Sequence, residues 1–595
     1  MRKEVGLLVM EQIDKKSLVV SGLLTLGVLT ASMNAYAVAP NVRDVVVFQG
    51  GEGGSSHYRI PSIVVAQDGS LVAFAEGRAS SKDPGSGYPT SIKSRRSVDN
   101  GVTWSDYQVI HEVANEAYSD PRPFVDKSTG RMFVFYTKWD NNCAQNGSCV
   151  PFDDPQHKLF YRTSDDNGQT WSAATDVLDQ VKDINWMANG TNGTAGRATW
   201  SVTPSAAQIT QASNEGWSLS WNSRVAEGSC NVQYYGNGNK RFLADLHVNP
   251  DKTVKAVLYS DNGNLEYPMN FDISGYHDYQ IVGTGNSASY YVDGTLVASN
   301  WSGQSHSSKT VTWGNGCSST KGASAYHSVE FSIDDTQQYY FDASLMKRVN
   351  GSVIKHPAEK GWRKTSGFNG KGEPGWKSIN AGPGQGIQLS NGRLIFPAIV
   401  LDAFSQLSVV SIYSDDHGVT WLAGNQTPTY ALEPSEADMV ELNDGRILMS
   451  ARNDGVTGVG NFNRYHFISH DQGQNWTMVN EERNSVNGAL FFKLDQVDIG
   501  LLGYGNNRVL MSGPQGNSAV SSDRNDLAIW SAVEDGAGNY NFTQRTQFRD
   551  GYSAYSDLIK LQDKGVLGNE DVGVIYEATS STQIRFMVID IDNIN

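Results

Sequence analysis

The octapeptide Ser97-Val98-Asp99-Asn100-Gly101-Val102-Thr103-Trp104 decides the fold, because close copies of it recur along the chain. The pattern is Ser-x-Asp-x-Gly-x-Thr-Trp, and the further copies are Ser164–Trp171, Ser414–Trp421 and Ser469–Trp476, the last with Asn475 in place of Thr. The short Asp carboxylate can accept backbone N–H groups within its own turn, and Trp can cover an exposed sheet edge. We therefore interpret these octamers as structural turns, despite their acidic residues.

A β-hairpin with glycine in its turn precedes each octamer. The first is Ile63–Phe74 with Gly69 in the turn, and apolar residues around such a glycine are a strong hairpin signal. Equivalent turn glycines are Gly130, Gly392 and Gly445, with a looser copy at Gly505 and a degenerate one at Gly565. One repeat therefore comprises two hairpins, or four strands.

The spacing of the repeats predicts the architecture. Successive turn glycines lie 61, 262, 53, 60 and 60 residues apart. The period is nearly uniform if about 200 residues are inserted into the second interval, and six four-stranded repeats without helical periodicity are typical of an all-β, six-bladed β-propeller. A linear β-solenoid is the alternative.

The inserted stretch, residues 188–345, has a different character. It contains the clear hairpin Ser289–Val297 but no octamer, so we predict an independent β-sandwich between the second and third blades. Its Trp and Tyr residues form either the sandwich core or a surface on which sugars stack. The predicted boundaries are residues 1–37 for a leader, 38–187 and 346–595 for the two parts of the propeller, and 188–345 for the insertion.

Composition indicates a folded protein that does not bind nucleic acid nonspecifically. Of the 595 residues 39% are hydrophobic and 18% charged, and Gly is plentiful at 60, which suits short strands joined by tight turns. The net charge of −16 disfavours nonspecific binding to nucleic acid. Any anionic ligand must therefore be held by a local basic cluster.

The first 37 residues resemble an export signal. Lys15 and Lys16 precede the apolar run Ser17–Thr30, and the stretch ends Ala35-Tyr36-Ala37, a small-x-small cleavage pattern. A membrane anchor is the alternative, but the run is shorter than the roughly 20 apolar residues that span a bilayer. We expect a secreted or periplasmic protein, cleaved near Ala37, without an integral membrane segment.

The four Cys residues fit an exported protein, because disulfides persist in oxidising compartments. Cys143 and Cys149 are near enough in sequence to close a small loop, and Cys230 and Cys317 lie within one later region. The sequence leaves open whether these pairs form or the thiols stay free.

Reactive side chains lie just before the first strand of several repeats. In a propeller these strands are nearest the axis, so residues at their start converge on one central pit. Counting back about ten residues from the turn glycines reaches Arg59, Asp120, Glu436 and Tyr555. We predict that these four residues occupy the same structural position in four blades.

The second strand of each blade is antiparallel to the first and returns to the same rim. Arg78 and Arg452 lie at its far end in two blades, while loop 79–92, with Asp83, and loop 514–524, with Arg524, open on that face. Several converging guanidinium groups favour a carboxylate ligand, whose geometry suits bidentate contacts. The chain shows no His/Cys/carboxylate set at metal-ligand spacing. We therefore expect no required cofactor, with a structural calcium ion left open.

Taken together, the motifs resemble those of bacterial exo-α-sialidases (neuraminidases), which are retaining glycoside hydrolases. The resemblance covers residues 44–185 and 370–590, and a lectin-like insertion interrupts it. The motifs that carry it are the octamers, Tyr58-Arg59-Ile60-Pro61, Ser435-Glu436-Ala437 followed by Asp444-Gly445-Arg446, Arg524-Asn525-Asp526-Leu527, and Ser553-Ala554-Tyr555-Ser556-Asp557-Leu558. The departures are Asn475 in the fourth octamer and the lack of a clear octamer in the last two repeats.

The resemblance implies a role for each residue of the pit. Tyr555 is the implied nucleophile, Glu436 the base that removes its proton, and Asp83 the acid that protonates the leaving oxygen and later activates water. Sialidases differ in this use of Tyr from most glycoside hydrolases. The substrate's anomeric carbon already bears a carboxylate, so a neutral phenol avoids the like-charge repulsion that an anionic Asp or Glu would meet.

The remaining residues are implied to bind the substrate. Arg59, Arg452 and Arg524 would hold the carboxylate of sialic acid, with Glu577 bracing Arg59. Arg78 would contact a sugar hydroxyl, and Asp120 would order the rim.

The implied activity is hydrolysis, with retention, of terminal α-linked sialic acids from glycoproteins, glycolipids and oligosaccharides. A trans-sialidase and an intramolecular trans-sialidase would use the same residues. A noncatalytic sialic-acid-binding lectin would keep the arginines and lose Tyr555, Glu436 or Asp83, all of which are present. The insertion resembles concanavalin-like carbohydrate-binding modules.

Overall fold

The computed structural model describes residues 43–594 apart from residues 86–87, 140–157, 182–185, 190–196, 250–252, 271–274, 318–321, 344–347, 350–351, 354–356, 365–370, 375, 377, 402–406, 428–433, 454–463, 479–499, 505–507, 516–523, 535–539, 541, 543 and 562–570. The expected leader at residues 1–37, Cys143, Cys149, Gly505 and Gly565 lie outside the described residues.

Two four-stranded repeats follow the first strand, β1 Arg43–Gln49. The first repeat consists of β2 His57–Val65, β3 Leu71–Arg78, β4 Thr90–Ser97 and β5 Gln108–His111. The second consists of β6 Ala117–Val125, β7 Met132–Trp139, β8 Lys158–Ser164 and β9 Thr175–Asp176, followed by the short helix α1 Leu178–Val181. Every residue of β3 is buried, because a blade packs against a neighbour on each face.

Two eight-stranded sheets form the insertion. The first contains β10 Trp186–Asn189, β12 Trp217–Gly228, β17 His277–Thr284, β18 Ser287–Val292, β19 Thr295–Trp301, β22 Gly322–Ile333, β23 Thr336–Asp342 and β27 Lys371–Pro374. The second contains β11 Ala198–Val202, β13 Asn231–Gly236, β14 Lys240–Val248, β15 Val254–Leu258, β16 Leu265–Met269, β20 Gln304–Ser305, β21 Val311–Asn315 and β26 Arg363–Lys364. Outside the sheets lie helix α2 Ala206–Glu215, the two-stranded ribbon of β24 Arg348–Val349 and β25 Ser352–Val353, and a 3-10 helix Pro357–Lys360.

Four further repeats complete the chain. The third repeat is β28 Ser378–Asn380, β29 Ile387–Gln388, β30 Leu394–Leu401, β31 Leu407–Ser414 and β32 Leu422–Ala423. The fourth is β33 Pro434–Glu441, β34 Ile447–Asn453, β35 Tyr465–Ser469 and β36 Thr477–Met478. The fifth is β37 Leu501–Tyr504, β38 Arg508–Pro514, β39 Asn525–Val533 and β40 Gln544–Tyr552. The sixth is β41 Ser556–Lys560, β42 Asp571–Thr579 and β43 Gln583–Asp590, before a 3-10 helix Ile591–Asn593.

The six repeats form a closed ring. First strands of successive repeats contact one another in the order β2, β6, β29, β33, β37, β41 and back to β2. In the third repeat β28 and β29 both pair with β30, so they are two segments of one interrupted first strand. Strand β1 pairs antiparallel with β43 and supplies the fourth strand of the sixth blade. The fold is therefore the expected all-β, six-bladed propeller, and the linear solenoid is excluded because the first and last repeats meet.

The octamers are turns between the third and fourth strands of their blades, as predicted. Asp99 accepts the Thr103 backbone N–H at 2.9 Å and the Ser97 hydroxyl at 2.7 Å, while the Ser97 hydroxyl also accepts the Gly101 N–H at 2.8 Å. In the fourth copy, the side-chain amide of Asn475 donates to Asp471 at 2.7 Å and replaces the Thr hydroxyl.

A β-sandwich core accounts for the tryptophans of the insertion. Trp200, Trp217, Trp221, Trp301 and Trp313 are all buried in one apolar cluster between the two sheets. The sequence left two roles open for the aromatic residues, a sandwich core and a surface on which sugars stack. These five tryptophans form the core. A disulfide joins Cys230 to Cys317, whose Cα atoms lie 5.5 Å apart.

The insertion is longer than residues 188–345. β10 begins at Trp186, β26 pairs with β11, β27 pairs with β10, and Trp362 packs into the sandwich core. The predicted end at residue 345 is therefore too early. The returning strands are only two to four residues long and show no apolar alternation, so no sequence signal marks them.

Candidate active site

The first strands bring three of the predicted residues to one equivalent position. In each blade we count back five residues from the last residue of the first strand that is paired with the second strand. This position is occupied by Asp120, Glu436 and Tyr555 in three blades. In the first blade Ile60 takes this position and Arg59 lies one residue earlier. The prediction that Arg59 shares the position is wrong, because the turn at Gly130 is one residue longer than the turn at Gly69, which misaligns counts made from the glycines.

The first strand is locally broken at two of these positions. Ile60 and Asp120 have φ of 53° and 55°, each is followed by proline, and pairing with the second strand shifts register at both places. Such left-handed backbone is costly for residues with a Cβ and needs support from its surroundings. The Ile60 N–H donates to Glu577 at 2.9 Å, and the Asp120 N–H donates to Glu76 at 2.9 Å.

Tyr555 and Glu436 form the centre of the pit. The phenol of Tyr555 donates to Glu436 Oε1 at 2.7 Å. Arg452 Nη1 donates to Glu436 Oε2 at 2.8 Å and to Tyr555 Oη at 3.5 Å. A nucleophile, a base and a cation that orients the base thus lie within hydrogen-bonding distance of one another.

Three arginines surround the Tyr555 ring. The guanidinium carbon of Arg59 lies 5.4 Å from the ring centroid and that of Arg524 lies 5.7 Å from it, while Arg452 contacts the hydroxyl. The fully buried Glu577 accepts two hydrogen bonds from Arg59, at 3.1 and 3.2 Å, as expected for a brace. The structure therefore brings together all three predicted carboxylate-binding residues.

Electrostatics keep Tyr555 neutral in the free protein. Burial raises the pKa of its phenol well above 10, the Glu436 charge raises it further, and the three arginines oppose this rise. Burial disfavours the charge of Arg59, but Glu577 more than compensates, so the pKa of Arg59 is raised. The pit therefore presents a neutral phenol ringed by cations, which suits an anionic ligand.

Asp83 lies on an exposed loop at the edge of this cluster. It accepts a hydrogen bond from Arg78 Nη1 at 2.9 Å and lies 3.8 Å from Arg59 Nη1. Arg78 is itself buried and donates through Nε to Glu76 at 2.7 Å. The second strand and the following loop thus meet at the pit, as the sequence predicts.

Asp120 and Glu76 form a buried acidic pair beside Arg78. Burial raises the pKa of Glu76 to about 7, with Arg78 opposing and the Asp120 charge adding to the rise. Burial also raises the pKa of Asp120 to about 6, with a further contribution from the Glu436 charge. Both carboxyl groups titrate nearer neutrality than exposed ones.

Sequence reasoning missed Glu76, Tyr552 and Arg464. Glu76 occupies in the first blade the same register position as Glu577 in the sixth, five residues after the first residue that pairs with the inner strand. Tyr552 packs against Ile60 and Tyr555. The buried Arg464 donates to the Glu436 backbone carbonyl at 3.2 Å. Aligning the strands by their pairing, rather than by turn glycines, is the signal that identifies Glu76.

No helix among the described residues is long and apolar enough to cross a membrane. Within the same part of the chain, no group of three or more His, Cys, Asp or Glu is arranged to hold a metal ion.

Comparisons with known proteins show which chains this one is similar to. Three family models match: the lectin insertion of Vibrio cholerae sialidase over residues 176–378, and BNR repeat-like domains over residues 60–203 and 360–569. The chain is 30% identical over 559 residues to the sialidase of Vibrio cholerae serotype O1, an alignment that covers 88% of this chain and 69% of the relative. It is 36% identical over 145 residues to the sialidase of Micromonospora viridifaciens, covering 23% of this chain and 22% of that one. Among solved structures, the Hadza microbial sialidase Hz136 matches with a TM-score of 0.50 and 17% identity, over 92% of this chain and 69% of that chain, which is a likeness of fold.

Proposed function

Because the chain belongs to the sialidase family of glycoside hydrolases, we propose that it is an exo-α-sialidase that removes terminal α-linked sialic acids with retention of configuration. The observation that carries the proposal is the 2.7 Å hydrogen bond from Tyr555 to Glu436 inside a ring of three arginines. Its substrates are sialylated glycans of glycoproteins, glycolipids and oligosaccharides.

The first step forms a covalent intermediate on Tyr555. The phenolic oxygen attacks the anomeric carbon while Glu436 takes the phenolic proton, and Asp83 gives a proton to the departing glycosidic oxygen. The hydrogen bond to Glu436 is already formed, so the base needs no rearrangement. Because the pKa of Tyr555 is raised well above 10, the phenol stays protonated until attack begins.

The second step reverses the proton transfers. Asp83 removes a proton from water, the resulting hydroxyl bonds to the anomeric carbon, and Tyr555 leaves as a phenol after recovering the proton from Glu436. Two displacements at one carbon retain its configuration. Arg59, Arg452 and Arg524 hold the substrate carboxylate through both steps.

The test of the nucleophile is Tyr555→Phe, which keeps the ring and removes the attacking oxygen. We expect kcat to fall on the order of 10³-fold or more, as on loss of other covalent nucleophiles. Sialic acid binding, measured by calorimetry, should persist because the arginines remain. Tyr136→Phe, in the apolar core between the first and second blades, is the matched control and should keep full activity. Undiminished turnover by Tyr555→Phe would remove Tyr555 from the mechanism.

The acid is tested with two substrates. Asp83→Ala should slow hydrolysis of a natural sialoside much more than that of a sialoside with an activated aryl leaving group, which needs little protonation. Equal losses on both substrates would show that Asp83 is not the acid.

Product analysis separates hydrolysis from transfer. Free sialic acid is the expected product from a sialylated oligosaccharide. Sialic acid joined to an added acceptor, or its anhydro form, would instead identify a trans-sialidase or an intramolecular trans-sialidase.

Export to an oxidising compartment is part of the proposal. The Cys230–Cys317 disulfide supports it, because such bonds persist outside the reducing cytosol.

The proposed chemistry uses no metal ion or cofactor.

A further inference from the structure

The outer face of the first sandwich sheet carries a groove of about 380 Å³. Strand pairing places five side chains in one row across β18, β17, β12, β22 and β23: Tyr291, Gln280, Ser220, Glu330 and Tyr340. All five are half-buried. The row therefore lies along the floor of a depression, in contrast to the exposed polar side chains usual on a solvated sheet face.

The two tyrosines stand at opposite ends of the row. Adjacent strands are about 4.8 Å apart, so four spacings separate Tyr291 from Tyr340 by about 19 Å. Between them lie a hydroxyl, a carboxamide and a carboxylate. Aromatic walls with a few convergent polar groups are typical of sites that bind small organic ligands. A tyrosine ring offers an apolar face to the C–H surface of a sugar, and the polar groups suit its hydroxyls.

Hydrogen bonds already hold the polar side chains of this face in place. Glu330 accepts from Gln337 at 2.7 Å and from Ser332 at 2.8 Å. Next to the row, the Asn222 amide donates to Asp278 at 2.8 Å. A surface whose side chains are ordered before binding loses less entropy when a ligand arrives.

Charge decides which sugar fits. Among the described residues that line the groove, Asp278, Glu330 and Asp342 are acidic and none is Lys or Arg. Lys360 reaches the Tyr340 hydroxyl at one end, at 3.2 Å. A sialic acid carboxylate would meet like charge here, whereas uncharged hydroxyls can donate hydrogen bonds to the carboxylates. Apart from Lys360, which also lies 5.0 Å from the Tyr340 ring centroid, the charged groups at the groove are thus acidic, whereas three arginines converge on the catalytic pit.

We propose that this groove binds an uncharged oligosaccharide of several sugar units, lying across the strands between Tyr291 and Tyr340. The inference does not depend on the mechanism proposed for Tyr555. Binding of a neutral part of a glycan here would raise the effective concentration of nearby sialylated branches at the pit.

The test measures binding of the full chain carrying Tyr555→Phe to immobilised oligosaccharides. The probes are chains of four to six neutral hexose and N-acetylhexosamine units, each paired with its terminally sialylated form, with free sialic acid in excess to occupy the pit. At least one neutral probe should bind, and its sialylated form should bind no better. Tyr291→Ala and Tyr340→Ala should each weaken binding about tenfold, as loss of a central aromatic contact does.

Two further variants keep the result interpretable. Ser220→Trp fills the middle of the groove without removing a tyrosine and should also abolish binding, with each variant's folding checked by thermal unfolding. Tyr234→Ala, which removes a half-buried tyrosine from β13 in the opposite sheet, is the matched control and should bind normally. In an otherwise unaltered chain, the groove variants should cleave a small soluble sialoside at the unaltered rate, which separates this test from that of the pit. Absence of binding by every neutral probe, preference for sialylated probes, or an equal loss in Tyr234→Ala would overturn the proposal.

Discussion

Two buried carboxylates, in neighbouring blades, each make the same pair of contacts. Glu577 accepts from Arg59 and from the left-handed backbone N–H of Ile60, while Glu76 accepts from Arg78 and from the left-handed N–H of Asp120. Each therefore supports a strained backbone in the next blade and orients a cation of the pit. In each case one side chain makes both the contact to the arginine and the contact to the backbone. A single substitution therefore affects substrate binding and the free energy of unfolding together.

Glu76→Gln should make the protein more stable and a weaker binder at alkaline pH. Burial raises the pKa of Glu76 to about 7, against about 4.5 when unfolded, so the folded state holds an extra proton between these values. Stability present below pH 4.5 is lost as the pH rises through 7. Gln does not titrate, so at pH 8 the variant should be more stable than the parent by about 1–3 kcal/mol, with little difference at pH 4.5. KM for a small sialoside should rise, because Gln has a single carbonyl oxygen and cannot accept from both Arg78 and the Asp120 N–H, so Arg78 is oriented less firmly.

Denaturant unfolding at pH 4.5 and pH 8 measures this difference. Glu112→Gln serves as the control, because Glu112 is exposed and pairs with Lys93 in the same blade, so its effect should be small at both values. A stability difference for Glu76→Gln that does not change with pH would contradict the assigned pKa.

At the residue scale, the sequence predicts which residues form the site better than it predicts which of them occupy equivalent positions in different blades. Arg59, Asp120, Glu436 and Tyr555 could be found by counting from turn glycines, because each blade repeats one strand length. The one-residue displacement of Arg59 could not be found in this way, because the turn that contains Gly130 is one residue longer than the turn that contains Gly69. Glu76 could not be predicted for the same reason, because only strand pairing shows that it has the same register position as Glu577.

The octamer turns are the elements most directly encoded by sequence. In the second copy, Asp166 accepts the Thr170 N–H at 2.8 Å, the Thr170 hydroxyl at 2.6 Å and the Ser164 hydroxyl at 2.7 Å. Partial burial tends to raise the pKa of Asp166, but these hydrogen bonds outweigh it and lower the pKa to about 2. The turn therefore depends on an ionised carboxylate.

Asp166→Ala should lower the free energy of unfolding by about 1–2 kcal/mol at pH 7, because several hydrogen bonds to a charged acceptor are lost. The contribution of a carboxylate with a lowered pKa is present above its unfolded value near 4 and is lost as the pH falls towards 2. The difference between parent and variant should therefore shrink over this range in thermal unfolding experiments. The neighbouring Asp165, paired with Arg131 on the surface, provides the control: Asp165→Ala should cost less than about 1 kcal/mol. Equal effects of the two substitutions would argue against the structural role of the octamer.

Element lengths explain why the insertion was only partly predictable. The predicted hairpin Ser289–Val297 is confirmed as β18 and β19, whose strands are long enough to show apolar alternation around the turn at Gly294. β26 and β27 span two and four residues, too few to show a period, and their place is fixed by tertiary pairing with β11 and β10.

At the scale of the whole molecule, stability of the insertion can be changed without touching the pit. The Cys230–Cys317 bond spans a sequence separation of 87 residues within the sandwich, and disulfides typically contribute about 2–4 kcal/mol of stabilisation. Replacing both cysteines by serine should lower the unfolding temperature of the insertion, followed by calorimetry. Turnover of a small sialoside at 25 °C should be unchanged, because every proposed catalytic residue belongs to the propeller. A parallel loss of turnover would show that the two domains are energetically coupled.

The way the ring closes has a consequence for biosynthesis. Strand β1 holds the apolar, buried Val47 and Phe48 but finds its partner β43 only near residue 588. At 5–20 residues per second, roughly half a minute or more of translation separates the two strands. Throughout that interval β1 has no pairing partner in the nascent polypeptide. A chaperone that binds β1 should therefore raise the yield of active protein.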